Sequence, residues 1–442
     1  MKHIVVFGAG MVAGAHVDYL LNVPDLDVTV ASRTLSKAQA LVRDHPRGRA
    51  VQVNSDDESE LEALIAEADL AVSLLPYAYH PTVARLAVKH GTHMVTTSYV
   101  KEAMAQLDAA ARVAGVILLN EIGVDPGIDH MTAMRIVHGV QAKGGRVTKF
   151  VSWCGGLPAP ESNSNPFGYK FSWSPRGVLL AGKNSAHYLW DEEDVLIPGG
   201  ELFEHYWTVP VLVEGRAMNF DGYPNRDSLP YMQTYGIENP QTFFRGTLRY
   251  PGWCQTLRKI AGLGLLEETP LAELEGATFA QLTARLIGSD SHNLRAALAA
   301  YLDLSLDSPV IDNLAWLGFL GDDPLPAGQH SPIDILTARM LDKMQYAPGE
   351  RDMLILQHQF EAEYPDGRER IVSTMVDFGL PHGYTSMART VVLPAAIAVK
   401  LILHGQIALT GVQVPVVPEI YAPVLEELEA LGIRFVETFE LM

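Results

Sequence analysis

His3-Ile-Val-Val-Phe-Gly8-Ala9-Gly10-Met11-Val12-Ala13 is the stretch that decides the fold. A strand-like run, His3–Gly8, ends on a glycine, meets a second at Gly10, and passes directly into a helical pattern. Gly8 permits a tight turn, Gly10 lets the backbone approach a pyrophosphate, and Ala13 keeps the following helix close to the sheet. The free N–H groups of that helix start would hold the pyrophosphate. A lone Gly-x-Gly-x-x-Ala is a weak signal. Set between a strand and a helix, with a further strand beyond, it reads as a dinucleotide-binding turn.

The following hundred residues continue the alternation. Strand-like runs fall at Asp27–Ser32, Ala50–Asn54, Asp69–Leu74, Thr92–Thr96 and Val116–Leu119, separated by helical stretches such as Leu35–Arg43 and Glu58–Ala68. This pattern implies an α/β fold, a Rossmann-type doubly wound parallel sheet. Ligands of such sheets bind beyond the carboxyl ends of the strands, which points to Leu75-Pro76, Thr97-Ser98-Tyr99 and the Glu121–Pro126 turn. The second strand ends in Ala31-Ser32-Arg33-Thr34, where NAD sites commonly carry an acid. A guanidinium with two hydroxyls suits a 2′-phosphate, so the expected cofactor is NADP.

The pattern changes after Asn120. A helix is expected over about 128–142, a strand over Arg146–Trp153, scattered strands over 185–253, and helices from Gln255 to about Met344. Strand-like runs at Met353–Tyr364 and Arg370–Phe378 flank the turn Pro365-Asp366-Gly367. The tail reads as two helices, about 386–404 and 419–431, and a strand, Ile433–Phe439. The run Trp153–Arg176 mixes prolines, glycines, aromatics and a thiol without helical or strand period. Long irregular segments within compact domains tend to be binding or active-site loops.

A length of 442 residues allows two or three domains. Basic minus acidic residues, 33 − 52, gives −19, a field that disfavours nucleic acid and anionic membranes as partners. Two cysteines, Cys154 and Cys254, fit a reducing cytoplasm. The apolar run Val391–Val399 is interrupted by Pro394 and reads as too short to span a bilayer, so a soluble protein is expected. Gly177–Asn184 is a near miss for a P-loop and reads better as a buried helix. The histidines lack metal-ligand spacing, and no metal is expected.

Asp125, ahead of Pro126 and Gly127 at a strand mouth, suits a substrate-facing acid, and equally an ordinary turn residue. Tyr223-Pro-Asn-Arg226-Asp and Arg245-Gly-Thr-Leu-Arg249-Tyr add arginines, whose forks bind carboxylates bidentately.

Several motifs in order resemble the NADP-dependent, L-glutamate-forming saccharopine dehydrogenase (saccharopine reductase) family. They are Val95-Thr-Thr-Ser-Tyr-Val100, Asn120-Glu-Ile-Gly-Val-Asp-Pro-Gly-Ile-Asp-His130, Cys154-Gly-Gly-Leu-Pro-Ala-Pro-Glu161, Gly168-Tyr-Lys-Phe-Ser-Trp-Ser174, Tyr223-Pro-Asn-Arg-Asp-Ser228 and Arg245-Gly-Thr-Leu-Arg-Tyr250. The resemblance implies a nucleotide domain from 1–127 and 390–442. It also implies a mixed α+β substrate domain from 128–254 and 345–389, with a helical insertion at 255–344. The implied reaction reduces, with NADPH, the imine of glutamate and α-aminoadipate semialdehyde to saccharopine, or runs in reverse. The expected cofactor set is Gly8, Gly10, Met11, Val12, Ala13, Ser32, Arg33, Thr34, Asn54, Leu75, Thr97 and Ser174. The expected substrate set is Ser98, Tyr99, Asp125, Arg226, Thr247 and Arg249, and Asp125, Tyr99 and Cys154 are the catalytic candidates. Trp153 stands where the family pattern leads one to expect Tyr, and Pro175 interrupts a Ser-rich run. Competing readings are a carboxynorspermidine-type dehydrogenase and a non-catalytic NADP-binding protein. Small amino acids are the expected partners, and a homodimer is the default for an enzyme of this size.

Overall fold

The computed structural model describes residues 1–272, 274–289 and 291–442. The early chain alternates as its pattern predicts: β1 (Lys2–Phe7), α1 (Ala13–Leu21), β2 (Leu26–Ser32), α2 (Leu35–Val42), β3 (Gly48–Gln52), α3 (Glu58–Ala66), β4 (Leu70–Ser73), α4 (His80–His90), β5 (His93–Thr96), α5 (Glu102–Ala105), α6 (Asp108–Ala114), β6 (Ile117–Leu119) and α7 (Ile128–Ala142). Beyond these come β7 (Arg146–Pro158), α8 (Pro175–Leu180), β8 (Ala186–Trp190), β9 (Glu193–Ile197), β10 (Trp207–Val213), β11 (Arg216–Pro224) and β12 (Thr242–Arg249). Helices Trp253–Gly262, Phe279–Ile287, Leu294–Tyr301, Pro309–Leu317 and Pro332–Lys343 fill the helical stretch. The chain closes through β13 (Asp352–Tyr364), β14 (Gly367–Phe378), helix Ser386–Leu403, β15 (Gly411–Gln413), helix Pro418–Ala430 and β16 (Val436–Leu441).

Two compact units result, one of Met1–Val147, Thr234–Ile237 and Ala362–Met442, the other of Thr148–Gln233 and Glu238–Glu361. The first holds a seven-stranded parallel sheet, ordered β15-β6-β5-β4-β1-β2-β3. The order reverses between β1 and β4, the switch point at which doubly wound sheets bind ligands. Beneath one face lie Val5, Phe7, Leu61, Ile65, Val83, Leu86 and Met94, all essentially inaccessible. The seventh strand, β15, comes from the far end of the chain and pairs with β6 from Gly411↔Ile117 to Gln413↔Leu119.

Helix Ser386–Leu403 is the first of the two helices expected in the tail, and it runs on across Pro394. By length and composition it is the one helix of the described residues able to cross a membrane, yet 78% of it is buried within the protein. It packs against α1 and against helix Pro418–Ala430, and burial of its apolar residues holds it helical through a position that lacks a donor.

In the second unit the sheet order is β10-β11-β12-β7-β13, with β7 and β12 parallel and β10, β11 and β12 antiparallel. The segment from Trp153 is less irregular than its composition suggests. Its first six residues extend β7 to Pro158, and Cys154 sits opposite Thr247 of β12. The Trp153 ring makes this possible by lying over two backbones without side chains. A Cβ on Gly222 would stand 2.7 Å from it, and one on Gly246 2.3 Å. After Pro158, Phe167, Tyr169 and Phe171 turn inward and are buried, and α8 begins at Pro175.

Candidate active site

The dinucleotide turn is shaped as its glycines require. Gly8 has φ +111°, and a Cβ there would lie 2.9 Å from the Leu74 carbonyl oxygen, so only glycine lets β1 and β4 end side by side. A Cβ on Gly10 would meet nothing within 4 Å, so open space stands above the turn. No side chain caps α1 at Val12, and its first turn carries no acid. No side chain there competes for the backbone amides, although the Ala13 N–H donates to the Gly10 carbonyl (3.2 Å). Ala13 is fully buried beneath, while Met11 is exposed.

Beyond β2 and β3, Arg33, Gln52, Val53, Asn54 and Glu60 line a cavity of about 450 Å³. Two residues expected at the cofactor, Arg33 and Asn54, thus meet in one hollow. Arg33 is exposed with its carbonyl held by the Gln52 amide (3.1 Å), and the Thr34 N–H donates to the half-buried Ser32 hydroxyl (3.3 Å). Gln52 and Glu60 escaped the sequence reading. Their signal is positional, since the mouth of β3 adjoins that of β2. These features fit NADP: a turn free of side chains for the pyrophosphate, and a cation within reach of the ribose of an adenosine.

Leu75 follows β4, and Thr97, Ser98 and Tyr99 follow β5, all half-buried at strand mouths. The loop Asn120–His130 closes on itself to present Asp125. The Gly123 N–H donates to the Pro126 carbonyl (2.8 Å), and the Gly127 N–H to Asp129 (2.6 Å). Gly127 has φ +148°, and a Cβ there would lie 2.1 Å from the Gly123 oxygen. The Tyr99 hydroxyl donates to Asp125 Oδ1 (2.9 Å), joining two of the three catalytic candidates. Beneath them Glu121 accepts the Val100 N–H (2.8 Å) and pairs with buried His130 (2.8 Å), whose other nitrogen meets the Tyr235 hydroxyl (2.5 Å). A further chain links Ser73, His80 and Ser98: the Ser73 hydroxyl meets His80 Nδ1 at 2.8 Å, and His80 Nε2 meets the Ser98 hydroxyl at 2.8 Å. Neither network shows in the sequence, because each runs through a helical histidine, His80 or His130, to partners that only the fold brings beside it.

In the second unit Thr247 faces Tyr223 on β11 and Cys154 on β7, and Arg249 follows two residues on along the same face. Arg249 is 4% exposed. Its guanidinium lies 5.0 Å from the Tyr169 ring centre, 5.7 Å from Trp253 and 6.0 Å from Tyr223. One Nη donates to the Leu248 carbonyl (2.7 Å), Nε has no hydrogen-bond partner among the described residues, and no carboxylate there pairs with it. Asp221, opposite in register, is engaged instead by the N–H groups of Gly252 (3.0 Å) and Cys254 (3.4 Å). Burial pushes the Asp221 carboxyl upward, and pushes the Tyr223 phenol up to about 12. Arg226 is exposed in the left-handed region (φ +59°), and its carbonyl accepts the His187 N–H (3.0 Å). Ser174 is exposed at the start of α8, where its hydroxyl caps the Gly177 N–H (3.3 Å).

An open dinucleotide turn, a hollow with a free-standing cation, a tyrosine–carboxylate pair and a buried arginine belong to an NADP-dependent oxidoreductase of the doubly wound class. Comparison with known proteins gives the family. The Saccharopine dehydrogenase NADP binding domain matches residues 4–119, and the Saccharopine dehydrogenase C-terminal domain matches residues 123–433. The chain belongs to the saccharopine dehydrogenase family. It is 42% identical over 452 residues to saccharopine dehydrogenase [NADP(+), L-glutamate-forming] of Schizosaccharomyces pombe, covering 99% of each chain. It is 36% identical to the mitochondrial alpha-aminoadipic semialdehyde synthase of Mus musculus, covering 98% of this chain and 47% of that one. The solved structure of apo histidine-tagged saccharopine dehydrogenase (L-Glu forming) from Saccharomyces cerevisiae superposes with TM-score 0.90 at 37% identity, covering 100% of both chains.

Proposed function

We propose that the chain interconverts saccharopine with L-glutamate and L-2-aminoadipate 6-semialdehyde, with NADP(H) as cofactor. The observation that carries this reading is Arg249, a buried guanidinium in an aromatic cage with no internal counter-charge among the described residues. Such a group is matched by a carboxylate brought in from outside, and the substrate has three. Arg226, Thr247 and Ser98 supply further donors to the same acids.

When bound, NADPH supplies the hydride. The turn of Gly8, Gly10, Met11, Val12 and Ala13 would hold the pyrophosphate. Ser32, Arg33, Thr34 and Asn54 would take the 2′-phosphate end, with Leu75, Thr97 and Ser174 as the other residues expected at the cofactor. Asp125 orients the substrate amine or the attacking water, and the Tyr99 hydroxyl on Oδ1 fixes the plane of its carboxylate. Cys154, paired with Thr247 in the sheet register, is the third candidate for the reacting centre. Positioned groups of this kind contribute about 10²–10⁴-fold to proton transfer. The functional division is 1–127 with 390–442 for the nucleotide, 128–254 with 345–389 for substrate, and 255–344 as insertion. Two free thiols fit a reducing compartment such as the cytoplasm, and a homodimer is the default for an enzyme of this size.

Absorbance at 340 nm tests the reading. Saccharopine with NADP should generate NADPH, and NAD should serve poorly. NADPH oxidation supported better by a diamine with aspartate semialdehyde than by glutamate with aminoadipate semialdehyde would overturn the substrate. Binding of NADPH without turnover of any amino acid and aldehyde pair would overturn the enzyme.

A further inference from the structure

Ser73, His80 and Ser98 form a line of hydrogen bonds of which the proposed mechanism uses only the last member, Ser98. Ser73 ends β4 and is fully buried, His80 opens α4 at 4% exposure, and Ser98 sits half-buried beyond β5. The backbone around Ser98 is already fixed. Its N–H donates to the Thr96 hydroxyl (3.4 Å), which itself donates to the Ser73 carbonyl (2.9 Å), and its carbonyl accepts the Glu121 N–H (3.1 Å). The imidazole therefore governs the direction of the Ser98 hydroxyl alone.

Hydrogen counting selects the tautomer. A neutral imidazole has one N–H and one acceptor nitrogen. If Nδ1 carried the hydrogen, the Ser73 hydroxyl would accept it, and its own hydrogen would need another acceptor. The Ser73 hydroxyl has no hydrogen-bond partner but His80 among the described residues. A buried O–H left unpaired is disfavoured. The remaining arrangement has Ser73 donating to Nδ1 and Nε2–H donating to the Ser98 oxygen. The Ser98 hydrogen then points away from the imidazole, toward whatever acceptor lies beyond.

We propose that Ser73 and His80 are positioning residues that lock the Ser98 hydroxyl as a donor to a substrate carboxylate. This rests on the reading above that Ser98 faces substrate. Burial, which pushes the imidazole down to about 4, keeps His80 neutral at working pH, so the donor direction does not vary there. An outer residue that fixes the proton arrangement of an inner one plays the same part as the groups that orient metal-bound histidines.

The test has two arms on the full-length enzyme. In the first, ¹⁵N-histidine NMR at pH 7 reads the ring directly, and His80 should show the neutral Nε2–H form. The Nδ1–H form or an imidazolium would overturn the proposal. In the second, His80→Ala should raise KM for saccharopine about tenfold, lower kcat less than about threefold, and leave KM for NADP in place. His80→Gln, which keeps a donor in reach, should recover most of that loss. Ser73→Ala, a smaller change should His80→Ala fail to fold, should give about a threefold rise. Ser98→Ala should raise KM as His80→Ala does, with no further rise in the double variant. An unmoved KM in Ser98→Ala would show that Ser98 does not meet substrate. A rise in Ser98→Ala with fully additive His80→Ala would leave that reading standing and remove the positioning role.

Discussion

Replacing Arg249 by methionine should separate stability from function in opposite directions. Methionine fills much the same volume and suits an aromatic surround through its polarizable sulfur. In the resting protein the guanidinium bears the desolvation of a buried charge, several kcal/mol. Against this stand three ring contacts at 5.0, 5.7 and 6.0 Å and one hydrogen bond to the Leu248 carbonyl. Each ring contributes about 0.5–2 kcal/mol, and the charged hydrogen bond about 1.5–3 kcal/mol. The two sides nearly cancel, so Arg249→Met should change unfolding free energy by less than about 1 kcal/mol. Substrate binding has no such cancellation. Loss of one partner from a buried, hydrogen-bonded charge pair removes about 3–5 kcal/mol, a fall of roughly 10²–10³-fold or more in kcat/KM. Denaturant unfolding without ligand and steady-state kinetics with saccharopine measure the two quantities. Destabilisation by more than about 3 kcal/mol would show an internal counter-charge. A kcat/KM within about threefold of the parent would show that no substrate carboxylate reaches the cage.

Two further outcomes follow from the first unit. Arg33→Ala should weaken NADP binding by about tenfold or more and NAD binding by less than about twofold, read by titrating cofactor fluorescence. Equal loss for both would place Arg33 away from the 2′-phosphate. His16 is fully buried, donates from Nδ1 to the Val392 carbonyl at 3.1 Å, and has no partner at Nε2 among the described residues; burial lowers its pKa to about 4 despite the raising effect of that carbonyl. Between the unfolded value near 6.5 and about 4, the unfolded chain binds a proton that the folded chain refuses, so stability falls as pH falls. The loss by pH 4.5 is roughly 2–3 kcal/mol, and it should shrink in His16→Gln when unfolding is compared at pH 7 and 4.5. An unchanged difference would assign acid sensitivity elsewhere.

What the chain reveals by inspection is what depends on neighbours in sequence. The parallel sheet was legible because each of its first six strands carries its own apolar run and is followed by its own helix. Gly8 and Gly10 announced the cofactor turn because backbone freedom is a property of single residues. Helix Ser386–Leu403 was legible from its own apolar pattern, but what holds it helical across Pro394 was not, since α1, which packs against it, lies hundreds of residues away in sequence. The extension of β7 through Gly155 and Gly156 was hidden for a similar reason. Glycine weakens a strand in isolation, while here a Cβ on Gly155 would lie 2.7 Å from the Leu248 carbonyl oxygen of β12. At the site, Arg33 and Asn54 could be named singly, but not the hollow that unites them with Gln52 and Glu60. The isolation of Arg249 is likewise invisible to sequence, since it depends on Asp221 spending its carboxylate on two backbone amides.

The first unit draws its seventh strand and two of its packing helices from residues beyond 362, and this bears on how the molecule comes into being. A ribosome releases β1 to β6 more than 290 positions before β15, since Leu119 precedes Gly411 by 411 − 119 = 292. Throughout that interval β6 has an open edge, and the face of α1 that bears His16 and Leu20 lacks the helix that will cover it. The nucleotide-binding half is thus begun before the second unit and completed after it. Cofactor affinity becomes a record of whether synthesis passed Gly411, because a nascent chain stopped short of it carries the phosphate-binding turn on an incomplete sheet.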